Sequence, residues 1–268
     1  MNSVQPQTKA ELAKIIYETC LLNGWNSDLN FIDTSKIEDM SFLFASNSYK
    51  EKHVDPKYII PYDLSRFTGD ISKWNTSNVW NTAFMFAYAE DFNSDLNDWD
   101  VSNVENMNGM FLYASKFNRP LDKWNTKNVR IFAYTFDTAV SFNQNINTWN
   151  VSKAYTLEGM FCNAHSFNSP LNDWDVSNVK DMLYMFMRAR SFNQNLDKWN
   201  VSNVETVRQM FQDAHSFNQN LDSWVLDDNT DKYCMFFEAH EFNSKIPVFK
   251  NCEKSAKELY ELLGLTNL

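Results

Sequence analysis

The chain has 268 residues, of which 44% are apolar and 16% aromatic, and it carries a formal net charge of −10 with a pI near 4.9. That balance excludes the basic surface that nucleic-acid phosphates demand and argues against attachment to anionic lipid. No apolar run approaches a membrane span, so no membrane insertion is expected.

In chain order, residues 1–7 are polar and lack a signal-peptide core, so a cytoplasmic location is compatible with this start, as is a leader already removed. Thr8-Lys9-Ala10-Glu11 is a capping box. Leu12, Ile15, Ile16 and Tyr17 continue it as an amphipathic helix to about Leu22, and Gly24 suits the position after the helix end. Residues 1–28 are therefore expected to form an N-terminal helical cap.

From residue 29 the chain repeats. Trp74, Trp99, Trp124, Trp149, Trp174, Trp199 and Trp224 are each 25 residues from the next. Columns of Phe (Phe67 to Phe242), Ala (Ala89 to Ala239) and Leu or Ile (Ile71 to Ile246) keep the same period. A unit of this length cannot bury its own apolar face, so neighbours must stack on it. Trp99-Asp100-Val101 alternates with period 2 and reads as a short strand. Val104, Met107, Met110, Phe111 and Ala114 fall at offsets 0, 3, 6, 7 and 10, which reads as one stripe of a helix with Ser102 at its start.

The expected fold is α/β: a curved leucine-rich-repeat-like solenoid, with one short parallel strand and one helix per 25-residue turn and helical caps. The unlike spacings of packed strands and packed helices should bend it. The solenoid should occupy residues 29–249. Its first turn is degenerate, with Leu29, Ile32, Ile37, Met40, Leu43 and Phe44 in the apolar columns. A 17-residue insertion follows, within residues 47–63; it is polar, holds Pro56 and Pro61, and is expected as a surface excursion. Beyond Trp224 the pattern decays, and residues 250–268 are expected to close the array as a second helical cap.

The Asn after each repeating Phe (Asn93, Asn118, Asn143, Asn168, Asn193, Asn218, Asn243) is best explained as a backbone-satisfying amide ladder. Cys20, Cys162, Cys234 and Cys252 share no tight spacing, so free thiols are expected, which mildly favours a reducing compartment. Asn75, Asn150 and Asn200 fit glycosylation sequons, but the repeat consensus itself generates them.

The consensus Phe-Asn-x-x-Leu-x-x-Trp-[Asn/Asp]-[Val/Thr]-Ser-Asn-Val-x-x-Met-x-x-Met-Phe-x-x-Ala, carried well by residues 174–182, resembles the BspA-like, DUF285-type 25-residue repeat over about residues 29–249. That family is similar to leucine-rich-repeat surface proteins of bacteria, mycoplasmas included. The resemblance implies non-enzymatic adhesion or protein binding at a bacterial surface, and it carries no active site.

No catalytic motif, phosphate loop or metal-ligand spacing is visible, so no enzyme activity, cofactor or metal is expected. Two surface features stand out. Trp80, Phe84 and Tyr88 are four apart, Tyr113 shares the column of Tyr88, and Tyr134 and Tyr184 share that of Phe84, with Gly109 and Gly159 between. These six aromatics read either as partner-binding anchors or as packing against the insertion and across the glycines. His165, Arg190, His215 and His240 form a basic line that reads as a pH-sensitive or anion-binding strip, or as solvated residues at helix ends. The function expected is a repeat protein presenting a protein-binding surface. The alternatives are a glycan- or matrix-binding adhesin, which needs solvent-facing indoles, an intracellular effector or inhibitor scaffold, and an enzyme with an unrecognised carboxylate site.

Overall fold

The computed structural model describes residues 3–53, 55 and 59–242. The segment expected as a C-terminal helical cap lies outside the described residues. Helix α1 spans Lys9–Asn23. Thr8 caps it, its Oγ1 accepting the Glu11 amide at 3.2 Å, and the Glu11 carboxylate reaches back to the Gln7 amide at 2.7 Å. Gly24 ends it with φ 97°, its amide returning to the Cys20 carbonyl. Leu12, Ala13, Ile16 and Cys20 face the core.

The α/β solenoid with a strand and a helix in every turn is not what forms. Among the described residues there are two helices, α1 and α2 (Asn47–His53), and the only β pairing is by single-residue bridges. The 25-residue units instead stack as layers made of consecutive tight turns. The physical reason is visible in the stretch read as a helix. Met110, Leu112 and Ala114 donate their amides to Met107, Gly109 and Phe111 within the layer, at 3.0–3.1 Å. Met107, Gly109, Phe111 and Tyr113 donate to Ile131, Ala133, Thr135 and Asp137 of the next layer, at 2.8–2.9 Å. Alternate amides thus leave the layer, which an i→i−4 helix forbids. Two residues per unit, here Gly109 (φ 57°) and Tyr113 (φ 56°), sit in the left-handed region and break any helical run.

The rest of the unit is also turns. The Ser102 amide bonds the Asp100 carboxylate at 2.9 Å instead of opening a helix, and the Asn97 and Asn108 amides bond Asp95 and Asn106 at 3.0 Å. Trp-x-Val, where the strand was expected, makes no bridge; one residue per layer elsewhere (Asp39, Asn81, Asn106, Ile131, Thr156, Asp181, Thr206, Asp231) pairs in parallel with the next, and Val4–Ile32 and Asp28–Asp70 do so near the N-terminal end. The bend argued from unlike strand and helix spacings loses its premise.

Aromatic columns hold the layers together. Phe86, Phe111, Phe136, Phe161, Phe186, Phe211 and Phe236 stack at 5.4–5.8 Å between centroids. The indoles also stack, as in Trp74–Trp99 at 6.2 Å and Trp124–Trp149 at 5.8 Å. Trp74 to Trp199 are 2–3% exposed, and each indole N–H donates to a backbone carbonyl in the preceding layer, as Trp124 does to Leu96 at 2.8 Å. The buried ring therefore leaves no polar atom orphaned. The asparagine column does the equivalent outside the core: each side-chain oxygen from Asn93 to Asn193 accepts the next asparagine's amide at 2.8–3.0 Å.

The insertion is less of an excursion than its polarity suggested. Lys50 is 1% exposed and Ile60 8%, and Tyr49 on α2 packs onto Phe84 and Tyr88 at 5.6 and 5.1 Å. Burial pulls the Lys50 ammonium down to about 8, and it is held by the Tyr62 carbonyl at 3.4 Å. Cys20 and Cys162 are free and buried, but Cys234 is in a disulfide, which corrects the free-thiol expectation for that residue.

Candidate functional site

The two left-handed positions of each layer build the site. One column runs Phe84, Gly109, Tyr134, Gly159, Tyr184; the other runs Tyr88, Tyr113, Thr138, Asn163, Arg188. The residues between them in sequence, such as Met110 and Phe111, are fully buried, whereas these aromatics are half-buried. Together they line a groove of about 460 Å³ whose wall also includes Tyr49, Asn108, Leu112, Asp137, Cys162 and Met187.

Ring packing sets the walls. Phe84 stacks on Phe42 at 5.1 Å and lies over Gly109, whose missing Cβ makes room for it. Tyr134 lies over Gly159 in the same way, and its hydroxyl donates to the Glu158 carboxylate. Tyr88 stacks on Tyr113 at 4.4 Å. These aromatics pack against the insertion and across the glycines, and they still open onto a groove.

The groove contains a carboxylate. Asp137 stands in a column that otherwise reads Ala87, Leu112, Cys162, Met187, Gln212, Phe237. Burial raises it from 3.8 to about 6, opposed by hydrogen bonds from Thr138 Oγ1 at 2.8 Å, Asn163 Nδ2 at 3.3 Å and the Cys162 thiol. Burial pushes the Tyr88 hydroxyl up to about 12, with the charges of Tyr113 and Asp137 adding to it. Tyr49 and Tyr134 are raised further, burial again being the largest cause. The Cys162 thiol is held well above its ordinary value by burial, so it is not a reactive thiolate. Asn108 Oδ1 is closed to water and has no hydrogen-bond partner. At the far end, Arg188 pairs with Asp213 at 3.7 Å.

The sequence-predicted residues separate. Phe84, Tyr88, Tyr113, Tyr134 and Tyr184 come together in the groove. Trp80 does not: it is 47% exposed and belongs to the next column, where its carbonyl accepts the Glu105 amide at 2.8 Å. Its grouping with Phe84 and Tyr88 assumed a helix that does not form. Of the basic line, His215 and His240 approach ring to ring at 5.1 Å, and His215 lies 3.9 Å from Asp213. Burial, then Arg190 and Arg188, depress His165. The helix-end explanation of this line fails with the helix. No cluster of three metal-ligating side chains occurs among the described residues.

Sequence reasoning passed over Tyr49, Asp137 and Arg188. Asp137 was findable, as the one charge in a column that is otherwise uncharged and mostly apolar.

No curated protein and no solved structure matches the chain. A family model described as "Mycoplasma protein of unknown function, DUF285" matches twice, at residues 60–149 and 131–249. Those two matches cover most of the layered array just described, and the chain belongs to that family.

Proposed function

We propose that this chain is a non-enzymatic recognition module that binds a protein partner through the aromatic groove, an activity that suits a repeat protein of the surface type. One observation carries the reading: five aromatic side chains from four layers, joined by Tyr49 of α2, line one concavity on a protein whose Trp74-to-Trp199 and Phe86-to-Phe211 columns are sealed inside. Aromatic residues give large contact area at low entropic cost and dominate interface hot spots. The groove's volume, about 460 Å³, lies within the range of sites that hold ligands or several side chains. The glycan-adhesin alternative required solvent-facing indoles, and the buried Trp column gives it no support.

The test is to pan the immobilised full chain against a random dodecapeptide display library. Peptides retained by the wild type should be lost by the Tyr113→Ser/Tyr184→Ser variant, which should still unfold cooperatively, with a midpoint lowered only by the loss of two half-buried rings. If no selected peptide depends on those tyrosines, the reading is wrong.

A further inference from the structure

The groove offers acceptors and ring faces without a cation to match. Among the described residues no lysine, arginine or histidine stands within ion-pairing distance of Asp137, which keeps only neutral donors from Thr138, Asn163 and Cys162. The guanidinium that shares the groove, Arg188, sits two layers on and is engaged by Asp213. Tyrosine faces attract cations through the ring quadrupole, most strongly where water is excluded. A partly buried carboxylate lacking a counter-ion is a standing cost that a bound cation relieves.

We propose that the groove receives a lysine or arginine side chain of a partner peptide, its alkyl stem against the Tyr113 and Tyr134 rings and its charge on the Asp137 carboxylate. This rests on the reading of the groove as the protein-binding surface and names what that surface selects. Peptide is favoured over a free metal ion because Asp137 is the one carboxylate that lines the groove, and no metal-holding cluster exists among the described residues. The alkyl stem of either side chain also suits a wall that is mostly carbon while its head seeks charge. The chain's net charge of −10 supplies long-range attraction for a basic partner.

The experiment extends the panning to the Asp137→Asn variant, followed by fluorescence polarisation of labelled selected dodecapeptides. The expected result is that groove-dependent peptides share one lysine or arginine, that replacing it with norleucine weakens binding at least tenfold, and that Asp137→Asn weakens the parent peptide equally without affecting the norleucine peptide. Asn fits the Asp site sterically, and thermal unfolding of each variant checks its fold. Groove-dependent peptides that are uncharged or acidic, or basic peptides bound equally by Asp137→Asn, would overturn this inference and leave the protein-binding reading intact. Failure to select any groove-dependent peptide would overturn both.

Discussion

The sealed columns and the groove columns come from the same 25-residue unit, yet they behave differently. In the Phe86-to-Phe236 column every layer holds the same side chain in the same stack. In the left-handed columns the side chain changes from layer to layer: Phe, Gly, Tyr, Gly, Tyr in one, and Tyr, Tyr, Thr, Asn, Arg in the other. A stack needs identical neighbours, because each ring is both floor and ceiling. A left-handed position turns its side chain out of that stack, so its identity is free to serve something else. Repetition marks what holds the layers together, and its breakdown marks where the molecule is individual.

The largest effect should come from breaking a sealed column. Phe136→Ala removes a ring that contacts Phe111, Phe142 and Phe161, at a cost of roughly 3–5 kcal/mol. Tyr113→Ala, half-buried in the groove, should cost about a third of that. Urea unfolding of both variants measures the difference; equal losses would erase the distinction between the two kinds of column.

Gly109→Ala comes next. Many layers place a non-glycine residue in this left-handed position, so backbone strain is not the main penalty. The added methyl meets the Phe84 ring, and overpacking of this kind costs about 1–3 kcal/mol. A double-mutant cycle with Phe84→Ala should show strong coupling, because removing the ring removes the clash. Additive losses would mean that the glycine serves the turn alone.

How much of this was legible in the sequence follows from the same contrast. The indole, phenyl, alanine and asparagine columns could be read directly, since burial imposes one residue type on every layer. The local structure could not. Val104, Met107, Met110, Phe111 and Ala114 fit a helical stripe, but a chain of turns with two left-handed residues buries the same positions. Left-handed tyrosine and phenylalanine leave no signature of their own in a sequence, because the strain of about 1–2 kcal/mol per residue is offset by the inter-layer hydrogen bonds. Gly109 and Gly159 were the visible hint. Trp80 was misgrouped for the same reason, and Asp137 was visible only by reading down a column instead of along the chain.

Two desolvated charges, Lys50 buried in the insertion and Asp137 partly buried in the groove, should have opposite pH signatures. Folded Asp137 holds its proton to about pH 6, against 3.8 when unfolded, so the folded state binds more protons within that window. Wild-type stability therefore falls as pH rises through it. Asp137→Asn should be more stable than wild type at pH 7, by up to about 3 kcal/mol, with the gain gone below pH 4. Lys50 is depressed to about 8, so its charge costs stability at and below neutral pH and the cost lifts as pH rises towards 10.5. Lys50→Met should stabilise at pH 7 by a similar amount, with the gain shrinking above pH 8. Unfolding midpoints from pH 4 to 10 test both, and slopes of the same sign would contradict this account.

A smaller loss is expected on the ladder. Asn143 Oδ1 accepts the Asn168 amide at 2.8 Å and the Ser169 hydroxyl at 3.1 Å. Water reaches this edge, so Asn143→Ala should cost only about 1 kcal/mol. The same column repeats in other layers, and Asn118→Ala should cost the same within error. A marked difference between the two would mean that the ladder's rungs are not equivalent and that the column is more than scaffolding.

The smallest effect is expected where the contacts look best on paper. Lys123 meets Asp98 at 2.6 Å and Lys198 meets Asp173 at 2.7 Å, each pair bridging adjacent layers. All four side chains are more than half exposed, so water competes for the charge and holding two long side chains in one geometry costs entropy. The layers are already tied by stacked rings and inter-layer amide bonds that solvent does not reach. Lys123→Met and Lys198→Met should therefore leave the unfolding midpoint unchanged, at low salt and at 0.5 M salt alike. A salt-dependent loss would show that charge pairing contributes to layer cohesion, and the division between sealed columns that hold the stack and outward positions free to vary would have to be redrawn.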